Sequence, residues 1–343
     1  MEIHLRKLFA VLVIAWIPTV LNAASPPNSF ASNPEVQSFI SEMSAKHGFE
    51  TDWLNMRFSR LQPNETVLKA IRPPAVPELQ RSWERYRARF LNDRRINTGV
   101  QFWQQNAATL ARARAMFGVP ESVIVAIIGV ETEYGRNTGR FSVLQSLATL
   151  AFNYPPRAEF FRQQLEQYLL LARENDFDPL VLKGSYAGAI GIPQFMPGSQ
   201  RSYAVDFDGD GKIDLTRSTV DAIGSVASFL AQHGWQEGGA VANQASLTGD
   251  PAPLLALGIK PEKTLGEMNS AGVIADGDPQ QAAALIDLVT PEQATEYWVG
   301  FQNFYVITRY NRSSFYAMSV YQLAEAIRQR KDSTDDKPAS GTN

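Results

Sequence analysis

Apolar residues recur three and four positions apart over most of the chain, the spacing of one helix face. Asn33-Pro34 opens the first such stretch, with Pro at the first helical position and Val36, Phe39, Ile40 and Met43 along one side; Gly48 closes it. Residues 52–61 read as a second short helix. Residues 79–91 and 101–117 read as helices with arginine-rich polar faces. Residues 121–134, 141–150 and the long amphipathic 158–174 follow. From Gly184 the pattern breaks into a glycine-rich stretch (Gly184, Gly188, Gly191, Gly198, Gly209, Gly211). Residues 220–233 return to helix. Between 238 and 300 come β-like runs, 284–289 and 297–301, separated by turn residues. Residues 315–328 form a closing helix. The pattern predicts a mainly α (α+β) fold with a small late β-containing insertion and no internal repeat.

The first 23 residues stand apart. His4, Arg6 and Lys7 precede an apolar run, 8–17, then the breaker Pro18 and small residues Ala23 and Ala24. That order is a secretory signal peptide, and the run is too short to span a bilayer comfortably. The mature chain then divides into an N-terminal helical part, 24–76, ending at the rigid stretch Arg72-Pro73-Pro74-Ala75-Val76-Pro77. A core, 77–237, an insertion, 238–300, and a return to the core, 301–330, follow. The polar tail 331–343 reads as disordered.

Composition narrows the chemistry. The 343 residues include no cysteine and three histidines, with 35 acidic against 32 basic residues. Thiol catalysis, disulfides and Cys-ligated metals are excluded, and without HExxH a histidine-based metal hydrolase is disfavoured. A net charge of −3 gives no reason to expect nucleic acid as a partner. Carboxylates, hydroxyls, amides and backbone remain.

Residues 123–130 are apolar on every side, which marks a buried helix, and Glu131 follows directly. A carboxyl there loses solvation and sits at the negative end of the helix dipole, with Gly135 as the expected cap. Both effects favour a protonated general acid. Glu133 leaves the opposite face, so no local second carboxylate is offered.

Residues 206–214, DFDGDGKID, follow calcium-loop spacing, with Asp206, Asp208 and Asp210 at positions 1, 3 and 5 and the carbonyl of Lys212 at position 7. Position 12 is Arg217 where such loops carry Glu; Asp221 is the expected substitute, in a structural loop of residues 206–221. The strip 184–197, GSYAGAIGIPQFMP, offers close backbone approach, neutral hydrogen bonds from Ser185 and Gln194, and flat rings. It suits a sugar or, equally, tight packing. Tyr310, Asn311 and Tyr316 form a second aromatic–polar cluster.

Together, residues 129–139 (GVETEYGRNTG), the strip 184–197, the acidic loop and Tyr310-Asn311, in that order, resemble the lytic murein transglycosylase B family over about residues 36–327. The resemblance implies a lysozyme-like core with a helical domain and the small β-containing insertion. It implies cleavage of the β-1,4 bond between N-acetylmuramic acid and N-acetylglucosamine in peptidoglycan, giving 1,6-anhydromuramic ends, with Glu131 as sole acid and base. It places Ser185, Gln194, Tyr310, Asn311, Tyr316 and Tyr86 in the sugar groove and Arg157 near stem-peptide carboxylates. It implies no catalytic cofactor and a structural calcium ion. The missing cysteine leaves no lipobox, so the expectation is a soluble, monomeric periplasmic protein with no membrane span after signal removal. A lysozyme-type hydrolase, a non-catalytic peptidoglycan-binding protein and a calcium-regulated protein are the alternatives.

Overall fold

The structure is a computed structural model that describes residues 29–73 and 82–335. The expected signal peptide lies outside the described residues. The chain forms two compact units, one ending at Gln62 and the other beginning at Pro63. In the first, helices α1 (Pro34–His47) and α2 (Thr51–Ser59) are joined by Gly48, whose φ of 67° is left-handed. The Asn33 side chain accepts from the Glu35 amide at 2.8 Å and caps α1. Val36, Phe39, Ile40 and Met43 are buried, and Phe39 meets Phe58 of α2 edge-on.

The division falls earlier than the proline-rich stretch, of which residues 74–77 lie outside the description. Helix α3 (Glu65–Ile71) belongs to the second unit. Its cap residue explains why: the Asn64 side chain accepts from the Thr66 and Val67 amides, while its own amide donates to Thr149 Oγ1 at 3.1 Å.

In the second unit α4 (Trp83–Ala88), α5 (Asp93–Gln105) and α6 (Ala107–Phe117) lead to α7 (Glu121–Thr132). The stretch 101–117, expected as one helix, is two. Asn106 breaks it by turning its side-chain amide onto Phe102 O at 2.8 Å, beside its own backbone bond to the same carbonyl. Residues 122–130 of α7 are all buried. Helices α5, α6, α11 (Thr219–Gln232) and α15 (Ser314–Asp335) pack around them. That enclosure is what an all-apolar helix demands. α8 (Val143–Asn153), α9 (Ala158–Glu174) and α10 (Pro197–Tyr203) flank a two-stranded ribbon, β1 (Phe141–Ser142) against β2 (Lys183–Gly184).

The insertion between α11 and α14 (Gln302–Tyr310) is a five-stranded sheet ordered β4-β6-β7-β3-β5. The strands are β3 (Ala242–Leu247), β4 (Lys263–Thr264), β5 (Val273–Ala275), β6 (Ala282–Leu288) and β7 (Glu296–Gly300). All pairs are antiparallel, with Ala284 opposite Gly300 and Leu285 opposite Val299. Strand β6 is buried on both faces, which is why it reads as a continuous apolar run. Its Leu285 joins Leu265, Met268, Val273 and Phe301 on one side, and Ile286 and Leu288 join the main core on the other. Two short helices, α12 (Ala252–Leu255) and α13 (Leu265–Ser270), complete the insertion.

Helix α15 continues through Asp335, past residue 331, where disorder was the expectation. Arg330 holds it to α5 through Asp93 and Asn97. Among the described residues no single helix is long and apolar enough to cross a membrane.

Candidate active site

Glu131 is the penultimate residue of α7, and the helix stops two residues sooner than expected. Glu133 is left-handed (φ 53°, ψ 48°), and so is Tyr134 (φ 63°) ahead of Gly135. Two such non-glycine residues cost on the order of 1–2 kcal/mol each. The Tyr134 ring repays part of this. It packs on Phe102, and its hydroxyl donates to Arg95 O at 2.8 Å. A Cβ on Gly129 would lie 2.7 Å from that hydroxyl, so glycine is needed two residues before the acid.

The Tyr316 hydroxyl donates to Glu131 Oε1 at 2.6 Å. Burial pushes the Glu131 carboxyl up from an ordinary 4.5 to about 7, with the Tyr316 hydrogen bond opposing it. The residue nonetheless keeps accessible surface, which a substrate needs. Glu133 is turned away and pairs with Arg94 and Arg95.

Tyr86, Tyr310 and Tyr316 gather at the acid. Burial raises all three hydroxyl pKa values, and the Glu131 charge raises each further. The Tyr310 and Tyr316 rings stack at 6.4 Å and 15°, and Tyr310 donates to Pro193 O at 2.6 Å. Tyr86 leans edge-on against Phe315 at 5.7 Å. One early helix and two consecutive late ones therefore supply one aromatic wall.

The glycine-rich strip folds back on itself through bridges Gly184–Ile190 and Ile190–Phe195. Thr132 ties it to the end of α7. Its hydroxyl donates to Ile192 O at 2.7 Å and accepts from the Gly135 amide at 3.0 Å. Sequence reasoning passed over Thr132; a buried hydroxyl between two glutamates was its only mark. Gln194 sits at φ 54°, its amide nitrogen donating to Thr138 O and Gly191 O. Oε1 is its remaining polar atom. Ser185 Oγ accepts from the Ala189 amide at 3.0 Å, which leaves its O–H to donate. Gly191 has φ 72° and admits no Cβ, which would stand 2.2 Å from Leu215 O.

Two expected groove residues are not drawn into the cluster. Asn311 is exposed, its carbonyl accepting from the Ser313 amide at 2.7 Å. Arg157 ends the short 3-10 turn Pro155–Arg157 and lies over the Phe160 and Phe161 rings at 4.5 and 5.1 Å.

Carboxylate oxygens of Asp206, Asp208 and Asp210 lie within 4.8 Å of one another, a hard-oxygen set suited to calcium. Gly209 and Gly211 (φ 80° and 86°) make the turn. Asp221, the expected further ligand, holds the loop from behind. It is buried, and its two oxygens accept from the Phe207, Asp208 and Asp214 amides at 2.8, 3.3 and 2.9 Å. It organises the loop from α11 and stands outside the cluster of three. At position 12, Arg217 pairs with Asp214 at 2.7 Å.

Known proteins resemble this chain in sequence and fold. The transglycosylase SLT domain family matches residues 31–325. The membrane-bound lytic murein transglycosylase B of Escherichia coli K12 is 44% identical over 319 residues, covering 89% of this chain and 86% of that protein. The crystal structure of a soluble lytic transglycosylase from Pseudomonas aeruginosa superposes with a TM-score of 0.81 at 48% identity, covering 87% of this chain and all of that one. An Escherichia coli lytic transglycosylase solved in complex with calcium gives 0.78 at 42%, covering 88% and 95%. The SLT family model spans nearly the whole described chain and both units, so this protein belongs to the transglycosylase SLT domain family.

Proposed function

We propose that this chain is a lytic transglycosylase that cleaves the β-1,4 bond between N-acetylmuramic acid and N-acetylglucosamine and leaves a 1,6-anhydromuramic end. One observation carries the reading: a single carboxyl, held near neutral proton affinity, is faced among the described residues by three tyrosines and by no second carboxylate. A retaining glycosidase needs a second carboxylate as nucleophile, and an inverting one needs it to activate water. An intramolecular attack needs neither.

Protonated Glu131 gives its proton to the glycosidic oxygen as the C1–O bond breaks. The substrate's N-acetyl carbonyl stabilises the electron-poor C1. The C6 hydroxyl then bonds to C1, and its proton returns to Glu131. A proton affinity near 7 suits a group that must both give and take. Tyr316 holds the carboxyl in one rotamer, and the dry aromatic wall keeps water from competing. Gln194 Oε1 and the Ser185 hydroxyl orient the N-acetyl group; Tyr86, Tyr310, Tyr316 and Asn311 line the groove, and Arg157 meets stem-peptide carboxylates. Asp206, Asp208, Asp210 and the Lys212 carbonyl hold a structural calcium ion, with Asp221 shaping the loop. The working place is the periplasm, reached through a signal peptide, and the protein acts as a monomer on glycan strands.

Digestion of purified peptidoglycan followed by mass spectrometry tests this. Muropeptides lighter by one water than hydrolysis products are expected, with Glu131→Gln releasing none. Reducing-end products alone would assign a lysozyme-type hydrolase. Binding without release by both proteins would assign a non-catalytic wall-binding role.

A further inference from the structure

The abrupt end of α7 is gripped from outside by one side chain. Arg95, in the first turn of α5, donates from Nη1 to Gly129 O and from Nη2 to Glu133 Oε1 at 3.4 Å. Its own carbonyl accepts from the Tyr134 hydroxyl at 2.8 Å. Its backbone is fixed in turn, because the Arg95 amide donates to the capping Asn92 side chain at 3.0 Å. Gly129 stands two residues before Glu131, on the opposite side of α7, and Glu133 lies beyond the helix end, turned away from the acid. The grip therefore holds the far side of the turn that presents the acid and never touches the acid itself.

The side chain is mostly buried, 13% exposed, and its Nε has no hydrogen-bond partner. Burying a cation with one donor unmade is costly unless its remaining bonds fix something. What they fix is the last turn of α7 and Glu133, the first of two left-handed residues through which the chain leaves the helix directly after Glu131 and Thr132, while the Arg95 backbone carbonyl holds the second, Tyr134. Arg94 also reaches Glu133, but its side chain is 69% exposed and makes no bond to α7's carbonyls among the described residues. The planar fork of Arg95 spans a carbonyl and a carboxylate at once, a geometry an ammonium does not reproduce.

We propose that Arg95 is a positioning residue for the reaction, clamping the left-handed exit of α7 so that Glu131 stays under Tyr316 and against the aromatic wall. The proposal rests on the transglycosylase reading of Glu131. Without the clamp, the exit turn relaxes and Glu131 swings toward water. Its carboxyl then regains solvation and its proton affinity falls. The groups facing Glu131 are Tyr86, Tyr310 and Tyr316, none of which ionises near neutrality, so they supply no competing titration.

The test compares wild type, Arg95→Met, Arg95→Lys and Tyr134→Phe in the full mature chain. Kinetics on peptidoglycan and the carbon-13 titration of the Glu131 carboxyl are both measured. Arg95→Met is expected to lower kcat about tenfold with KM within about twofold. It is also expected to lower the Glu131 midpoint by about one pH unit or more. Arg95→Lys is expected to recover part of both. Tyr134→Phe keeps the guanidinium and loses the hydroxyl held by the Arg95 carbonyl, so it tests the exit turn itself and kcat should fall about threefold; Arg95→Lys decides the side chain's part should Arg95→Met not fold. An unmoved midpoint in Arg95→Met (or in Arg95→Lys, should the first not fold), or a Tyr134→Phe kcat equal to wild type, would overturn the proposal. A wild type that releases no anhydro product, while the Arg95→Met midpoint still falls, would sink the enzymatic reading and leave the positioning in place.

Discussion

Replacing Glu131 with glutamine is expected to stabilise the protein, and to do so only above mildly acidic pH. The isosteric amide keeps an acceptor for the Tyr316 hydroxyl, so packing and the 2.6 Å hydrogen bond survive. What changes is charge. In the folded chain burial lifts the carboxyl from 4.5 to about 7. A raised folded pKa means that the wild type's share of stability from this group is complete below pH 4.5 and is lost as pH climbs through 7. At ~1.4 kcal/mol per pH unit, the full loss is about 3 kcal/mol. Solvent at the accessible edge of the residue trims this to about 2 kcal/mol. Glutamine has nothing to ionise and escapes the loss. Urea denaturation of both proteins at pH 4 and at pH 8 measures it. Equal midpoints in acid and a mutant more stable by about 2 kcal/mol in alkali are expected. A difference that stays flat across that range would show that the carboxyl is not desolvated, and would remove the physical reason for a protonated acid at neutral pH.

Chelation of calcium should lower the unfolding temperature by several degrees while leaving the far-UV spectrum of the folded chain intact, because Asp221 shapes the loop from α11 without an ion. A large spectral change would instead favour a calcium-driven conformational switch. Asp221→Ala leaves three backbone donors unpaired and should cost about 3 kcal/mol in denaturant, with or without calcium. Gly191→Ala drives a Cβ to 2.2 Å from Leu215 O at a left-handed φ and should cost more than about 2 kcal/mol, read as a lowered midpoint. Tyr310→Phe frees Pro193 O and should cost about 1 kcal/mol of stability and loosen saccharide binding, measured by calorimetry.

The acid was legible in the sequence because its physics is local. Eight apolar residues in a row demand a buried helix, and the carboxyl that follows must sit at its rim. The end of that helix was not legible at the right place. Tyr134 leaves the helical path because Arg95, almost forty positions earlier, offers its hydroxyl a carbonyl. The break at Asn106 was hidden for the same kind of reason, since a side-chain amide competing for a helix carbonyl leaves the apolar period intact on both sides. The acidic loop announced its three aspartates through spacing. Spacing alone did not show that Asp221 is buried and accepts three loop amides, because those partners are set by where α11 packs against the loop. Strand β6 was legible as a β-like run at 284–289, shifted by one or two residues from its observed bounds of 282–288; its pairing partners were not. The stacking of Tyr310 on Tyr316 and the donation of Tyr316 to Glu131 come from tertiary folding alone.

That last pairing has a consequence for how the protein is made. Glu131 and Tyr316 are 185 residues apart, with the whole five-stranded insertion between them. A growing chain that has emerged only as far as the sheet carries the acid but neither Tyr310 nor Tyr316. It lacks the hydroxyl that holds the carboxyl and two of the rings packed around it. The final helices to be synthesised dry the acid and raise its proton affinity. Completion of the acid thus waits for the C-terminal helices: a chain cut short before α14 keeps Glu131 without two of the three tyrosines that face it.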